Sequence, residues 1–194
     1  MGWTALVDAC VLYPLATRDL LLRGAERYLY EIRWSEKIIQ EVKRNLVDDQ
    51  RCTEKQARYL TDQMAAAFPE AVVTGYERLI EGMTNDAADR HVLAAAIAAG
   101  ADVIVTDNVR HFPSTACEPY GIEVQTADEF LSYSFDLAPE VMGDIFLQQV
   151  RDLERPALDA ASAVTSLQRR LPSLAARLTA LARVRAAIGY EQRD

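Results

Sequence analysis

Two short apolar runs that end in aspartate, Thr4-Ala-Leu-Val-Asp8 and Asp102-Val-Ile-Val-Thr-Asp107, constrain the fold most, because much of the chain between them reads as helix. Runs of this length, apolar or β-branched and bounded by polar residues, are strands. Strands separated by helical stretches cannot pair through a tight hairpin, so crossovers must join them into a parallel sheet with helices on both faces. Tyr13-Pro14 after the first run suits the first turn of a helix. Ser35 followed by Ile38, Ile39, Val42 and Leu46 predicts a capped helix over 36–47. A second helix over 53–67 stops before Pro69, 71–75 reads as a brief strand, and 85–99 as a buried, almost wholly apolar helix closed by Gly100. A strand at 122–125 and a helix at 127–132 complete the alternation. Beyond Asp136 only helices follow, over 138–153, 156–170 and 172–188, two of them opening on proline. The expected organisation is therefore an α/β domain over 1–134 and a helical extension over 135–194 that packs against it.

Charge is unevenly spread. The net charge of −8 argues against a nucleic-acid partner, since phosphate contacts normally supply much of that affinity. Residues 1–150, however, hold 24 acidic and 13 basic side chains, giving −11, whereas residues 151–194 hold 5 and 8, giving +3. Acids that recruit divalent cations would account for part of the first figure, and a bound cation inverts the field that a phosphate meets. Three cysteines without metal-ligand spacing, and no charged-then-apolar leader before the first strand, point to a reducing cytoplasm. The longest apolar stretch, residues 92–99, is far below the roughly 20 residues that span a bilayer, so no membrane segment is expected.

The candidate chemistry lies in the acids. Asp8 and Asp107 end strands at the edge where open parallel sheets hold their ligands. Asp89 falls in the first turn of the expected buried helix, where the helix dipole favours its ionised form, and Asp86 stands at or just before the cap. Glu41 sits beside the apolar face of its helix rather than opposite it. Oxygen ligands without interspersed histidine or cysteine select Mg²⁺ or Mn²⁺ over zinc, and such ions support phosphoryl chemistry with water as nucleophile. Taken singly, each acid has a bland explanation as a cap, turn residue or surface glutamate. His91 and His111 read as structural or phosphate-contacting, and Arg90, Arg110, Lys37 and Arg44 equally as solvated surface cations or as contacts to a phosphate backbone.

Four segments in order then resemble the motifs of the PIN-domain ribonucleases: Leu6-Val7-Asp8; Trp34-Ser35 with Glu41-Val42 and Arg44; Asp86-Ala-Ala-Asp89-Arg-His-Val-Leu-Ala-Ala-Ala; and Val103-Ile-Val-Thr106-Asp107-Asn108 with His111-Phe112-Pro113. The resemblance covers about residues 3–134, and residues 136–194 are similar to the helical extension of a VapC-like toxin subset. It implies a PIN-like three-layer α/β/α fold with a mostly parallel sheet, plus an all-helical C-terminal extension. It also implies a Mg²⁺- or Mn²⁺-dependent endoribonuclease, the toxin of a toxin–antitoxin pair. Asp8, Glu41, Asp89 and Asp107 take the family's metal-binding positions, with Asp86 sharing the load. Thr106 orients the first aspartate, and Asn108 neighbours it; whether Asp107 or Asn108 faces the metal stays open. Arg90 and Arg110 become candidate RNA contacts. The implied partners are RNA, including transfer RNA, a cognate antitoxin and a second copy of the chain. Two alternatives stand beside this reading: a PIN-fold module that binds RNA or protein without cutting, and a phosphohydrolase with Asp8 as nucleophile. Cys10 stands where the latter would need a second aspartate. The arginines of the extension, Arg169, Arg170, Arg177, Arg183 and Arg185, favour packing or partner binding over RNA.

Overall fold

Every residue of the two central strands is apolar or nearly so, and this places them. Ala5, Leu6 and Val7 are fully buried, as are Val103, Ile104 and Val105, which requires both faces of the sheet to be covered. The computed structural model describes residues 2–153 and 159–187. It contains five strands: β1 (Thr4–Val7), β2 (Glu31–Ser35), β3 (Val72–Val73), β4 (Val103–Val105) and β5 (Glu123–Gln125). They form one sheet in the order β3-β2-β1-β4-β5, and every pairing is parallel. The chain runs from β1 outward on one side and returns on the other, so the topological switch lies between the carboxyl ends of β1 and β4.

Helices α1 (Ala9–Leu12), α2 (Leu15–Glu26), α3 (Glu36–Asp48), α4 (Glu54–Ala67) and α5 (Arg90–Ala99) fill the crossovers up to β4. α3 follows its expected face, burying Ile38, Val42 and Leu46, with the Ser35 hydroxyl accepting from the Ile38 amide. α4 opens on a capping box between Thr53 and Gln56. α5 packs against β1 and β2, and Gly100 closes it in the left-handed region at φ 61°. α6 (Ser114–Cys117) leads to β5.

Three expectations need correction. β2 was not foreseen: Ile32 and Trp34 are buried while Glu31 is exposed, a period-two pattern that its charged residues mask. The helix expected from residue 85 begins at Arg90, because residues 86–89 form a turn in which the Asp86 amide donates to the His111 carbonyl (3.1 Å). The helix expected over 127–132 continues to Leu137 as α7 (Ala127–Leu137).

The extension consists of α8 (Pro139–Asp152), α9 (Ala160–Leu167) and α10 (Pro172–Ala187). The helix start expected at Pro156 and the end at Ile188 lie outside the described residues. α8 packs on α2 and α7, and α10 on α7 and α9. Leu171, Leu174, Ala175 and Leu178 join the same continuous core as the sheet. The Asp128 carboxylate of α7 accepts from the Ser173 and Leu174 amides (3.0–3.1 Å), capping α10 from a neighbouring helix. Among the described residues no helix is long and apolar enough to cross a membrane.

Candidate metal centre

Asp8 follows β1 and is tied to β4 by its own amide, which donates to the Val105 carbonyl (3.0 Å). It is 4 % exposed, and three donors orient the carboxylate. Oδ1 accepts from the Ala9 amide (2.6 Å), and Oδ2 accepts from the Thr106 hydroxyl (2.7 Å) and the Cys10 thiol (3.2 Å). Burial pushes the Asp8 carboxyl above the usual carboxylate range, and the nearby charge of Asp89 adds to this, against the opposing effect of the three hydrogen bonds. The Cys10 thiol is itself pushed up to about 12 by burial and by the Asp8 charge, so it stays protonated and serves Asp8 as a donor.

Asp89, whose charge reaches Asp8, lies in the turn before α5, where the converging ligand atoms do not include those of Asp8. Asp86, Asp89 and His111 each bring a ligand atom to within 4.8 Å of one another. His111 Nδ1 lies 2.7 Å from Asp89 Oδ2, while Asp86 Oδ1 accepts from the Ala88 amide. With Nδ1 engaged, His111 positions Asp89 and keeps Nε2 as its remaining ligand atom. Among the described residues no lysine or arginine pairs with Asp8, Asp86 or Asp89. That leaves buried negative charge at Asp8, half-buried charge at Asp89 and exposed charge at Asp86 without a cationic partner, a set of oxygen donors that a divalent cation fits.

The other expected ligands are placed differently. Glu41 Oε1 lies 3.2 Å from Nε2 of His91, a residue only 1 % exposed and two positions after Asp89. Burial alone would raise the Glu41 carboxyl, but His91, Lys37 and Arg44 outweigh it and hold the group below its ordinary range. Asp107 is half exposed, and its carboxylate contacts the Ala127 amide (3.5 Å) and Arg170 Nη1 (3.8 Å) rather than Asp8 or Asp89. The Asp107 amide donates to Cys10 Sγ (3.2 Å), and the Asn108 amide to Thr106 Oγ1 (3.1 Å), so the loop after β4 acts through its backbone. Arg90 Nε donates to the Asn85 carbonyl (3.4 Å), bracing the turn, and Arg110 is exposed.

Sequence reasoning missed Cys10 and His111 as members of the cluster. The signal for Cys10 was its spacing two residues after Asp8 in a helical turn; for His111 it was proximity to Asp107 along the chain.

A family profile described as PIN domain matches residues 4–110, and one described as VapC50 C-terminal domain matches residues 127–180. A Mycobacterium tuberculosis protein named "Putative ribonuclease VapC50" is 39% identical over 107 residues, which is 55% of this chain and 63% of that protein. The match therefore spans less than two thirds of the relative's length. No solved structure matches the chain.

Proposed function

The chain belongs to the PIN-domain family, and on that premise we propose that it is a Mg²⁺- or Mn²⁺-dependent endoribonuclease that hydrolyses RNA phosphodiester bonds as the toxin of a toxin–antitoxin pair. The observation that carries this reading is Asp8, buried at the sheet's switch point, gripped by Thr106 and Cys10, and electrostatically coupled to Asp89. Asp8, Asp89 and Asp86 would hold the cation, with Glu41 at the flank through its contact with His91. Bound there, a divalent ion supplies charge neutralisation for the scissile phosphate and a more acidic water for attack on phosphorus. The residues do the positioning. Thr106, Cys10 and the Ala9 amide fix both oxygens of Asp8, and His111 fixes Asp89. Cys10 is unsuited to act as a nucleophile, because at neutral pH its thiol keeps the proton. An antitoxin that covers the acidic cluster, transfer RNA among the substrates, and a homodimer complete the proposal.

The test is incubation of purified protein with RNA and Mn²⁺, with and without chelator, alongside Asp8→Asn and Asp89→Asn. Cleavage that requires the metal and both aspartates is expected; cleavage that survives chelation and Asp8→Asn would overturn the reading. The engagement of Asp107 by Ala127 and Arg170 favours a second reading, a PIN-fold module that binds RNA or protein without cutting. Tight Mn²⁺ binding without turnover on several RNAs would establish it.

A further inference from the structure

We propose that Arg170, in the turn between α9 and α10, is a phosphate contact for substrate RNA, so that the helical extension contributes a wall of the nuclease site. This rests on the ribonuclease reading above.

Three arginines of the extension make ion pairs, and they differ in where they reach. Arg177 grips Asp136 through two contacts of 2.7 Å, and Arg185 contacts Glu140 and Asp144. Both pairs knit α10 to its neighbours α7 and α8. Arg170 instead reaches out of the extension to the carboxyl end of β4, where its Nη1 stands 3.8 Å from Asp107 Oδ2. Asp107 is the residue next to Thr106, which holds Asp8, so Arg170 lies at the border of the proposed metal centre.

Its position is built from several directions. Leu167 and Leu171 are buried on either side of it, and the Arg170 and Leu171 amides both donate to the Leu167 carbonyl (2.9 and 2.8 Å). The start of α10 is fixed to the first turn of α7 by Asp128, and the Ala127 amide beside Asp128 contacts Asp107 Oδ1. Asp107, Ala127, Asp128 and Ser173 thus form a continuous brace that sets the Arg170 backbone against the loop after β4.

The side chain, by contrast, is loosely held. The ion pair is at the outer limit of contact and both partners are about half exposed, at 54% and 42%. Such a pair contributes little and exchanges readily. Among the described residues the guanidinium makes no other polar contact. A guanidinium fits a phosphate with paired hydrogen bonds, which a single exposed carboxylate at 3.8 Å does not offer. A polyanion approaching Asp8, Asp86 and Asp89 also needs positive charge at the rim. Arg90 is braced against the Asn85 carbonyl, whereas Arg170 contacts the loop after β4 directly at Asp107.

The experiment measures binding of a fluorescein-labelled single-stranded RNA to Asp8→Asn in Mg²⁺ across a salt series, with and without Arg170→Ala. We expect about 10-fold weaker binding and a salt slope shallower by about 0.7. Arg183→Ala removes the same charge about 17 Å along α10 from its start and is expected to leave both quantities unchanged. In the otherwise native chain, Arg170→Ala should raise KM for RNA with little effect on kcat, and Arg170→Lys should recover part of the loss. Unaltered affinity and slope for Arg170→Ala, in a protein whose parent cleaves RNA, would overturn the proposal and leave the ribonuclease reading standing. Equal losses for Arg170→Ala and Arg183→Ala would overturn it as a general charge effect. Tighter binding or faster cleavage would overturn it by marking Arg170 as a plug over Asp107. A parent that neither binds nor cleaves RNA would remove both readings together.

Discussion

Thr106→Val probes the grip on Asp8 with little change in shape. The hydroxyl donates at 2.7 Å to Asp8 Oδ2, Thr106 is fully buried and Asp8 is 4 % exposed, so no solvent stands ready to replace it. A hydrogen bond to a charged group contributes about 1.5–3 kcal/mol. The Cys10 thiol remains as a second donor to the same oxygen, which places the effect at the lower end. About 1.5 kcal/mol corresponds to roughly a 10-fold loss, and partners that orient metal ligands typically carry 10–100-fold in affinity or activity. The assay is the Mn²⁺ dependence of RNA cleavage: Thr106→Val should need about 10- to 100-fold more metal for half-maximal rate. Losing this donor also removes an influence that lowers the Asp8 pKa, so the acidic limb of the pH–rate profile should move upward. Thr106→Ser retains the donor and the acceptor used by the Asn108 amide, and should behave as the parent. A Thr106→Val protein with the parent's metal dependence and pH profile would show that this hydroxyl does not hold Asp8 for the metal.

Three further outcomes follow from the same contacts. The folded-state pKa of Asp8 is raised, so its ionisation costs native stability increasingly as pH rises from the unfolded value towards the folded one; without metal, the unfolding temperature of Asp8→Asn relative to the parent should climb from about pH 4 upward, and a pH-independent gap would contradict this. With its pKa pushed up to about 12 by burial, the Cys10 thiol stays protonated at pH 8, so peptide mapping after iodoacetamide should find it slow to react when folded and fast in denaturant; equal rates would disprove its burial beside Asp8. Asp128→Ala removes the acceptor for two α10 amides and should cost about 1 kcal/mol by chemical denaturation, with proteolysis of the extension accelerated; unchanged stability and protease sensitivity would show that the cap is idle.

The alternation of strands and helices was legible because β1 and β4 carry uninterrupted apolar residues and α3 keeps a strict helical period. β2 was hidden because Glu31 and Arg33 dilute its composition, and Trp34-Ser35 resembled a lead-in to α3. The early helix start at Asn85 rested on local capping preference, which lost to a tertiary bond between Asp86 and His111, residues 25 apart. The contact of Thr106 with Asp8 was anticipated through the family resemblance, which places a hydroxyl there. The engagement of Asp107 depends on where α7 and the α9–α10 turn dock, which no local pattern encodes. Cys10 and His111 escaped for a related reason: each acquires its meaning only from a partner carboxylate brought close by folding.

The proposed function requires Asp8 and Asp89, together with Asp86, to bind one divalent cation at the switch point of the sheet. Anomalous diffraction from crystals soaked in Mn²⁺ measures this directly. A manganese peak bonded to the carboxylates of Asp8 and Asp89 is expected, lost in Asp8→Asn crystals soaked alike. A well-ordered site at saturating Mn²⁺ with no peak between those carboxylates, or a peak that Asp8→Asn leaves in place, would contradict it.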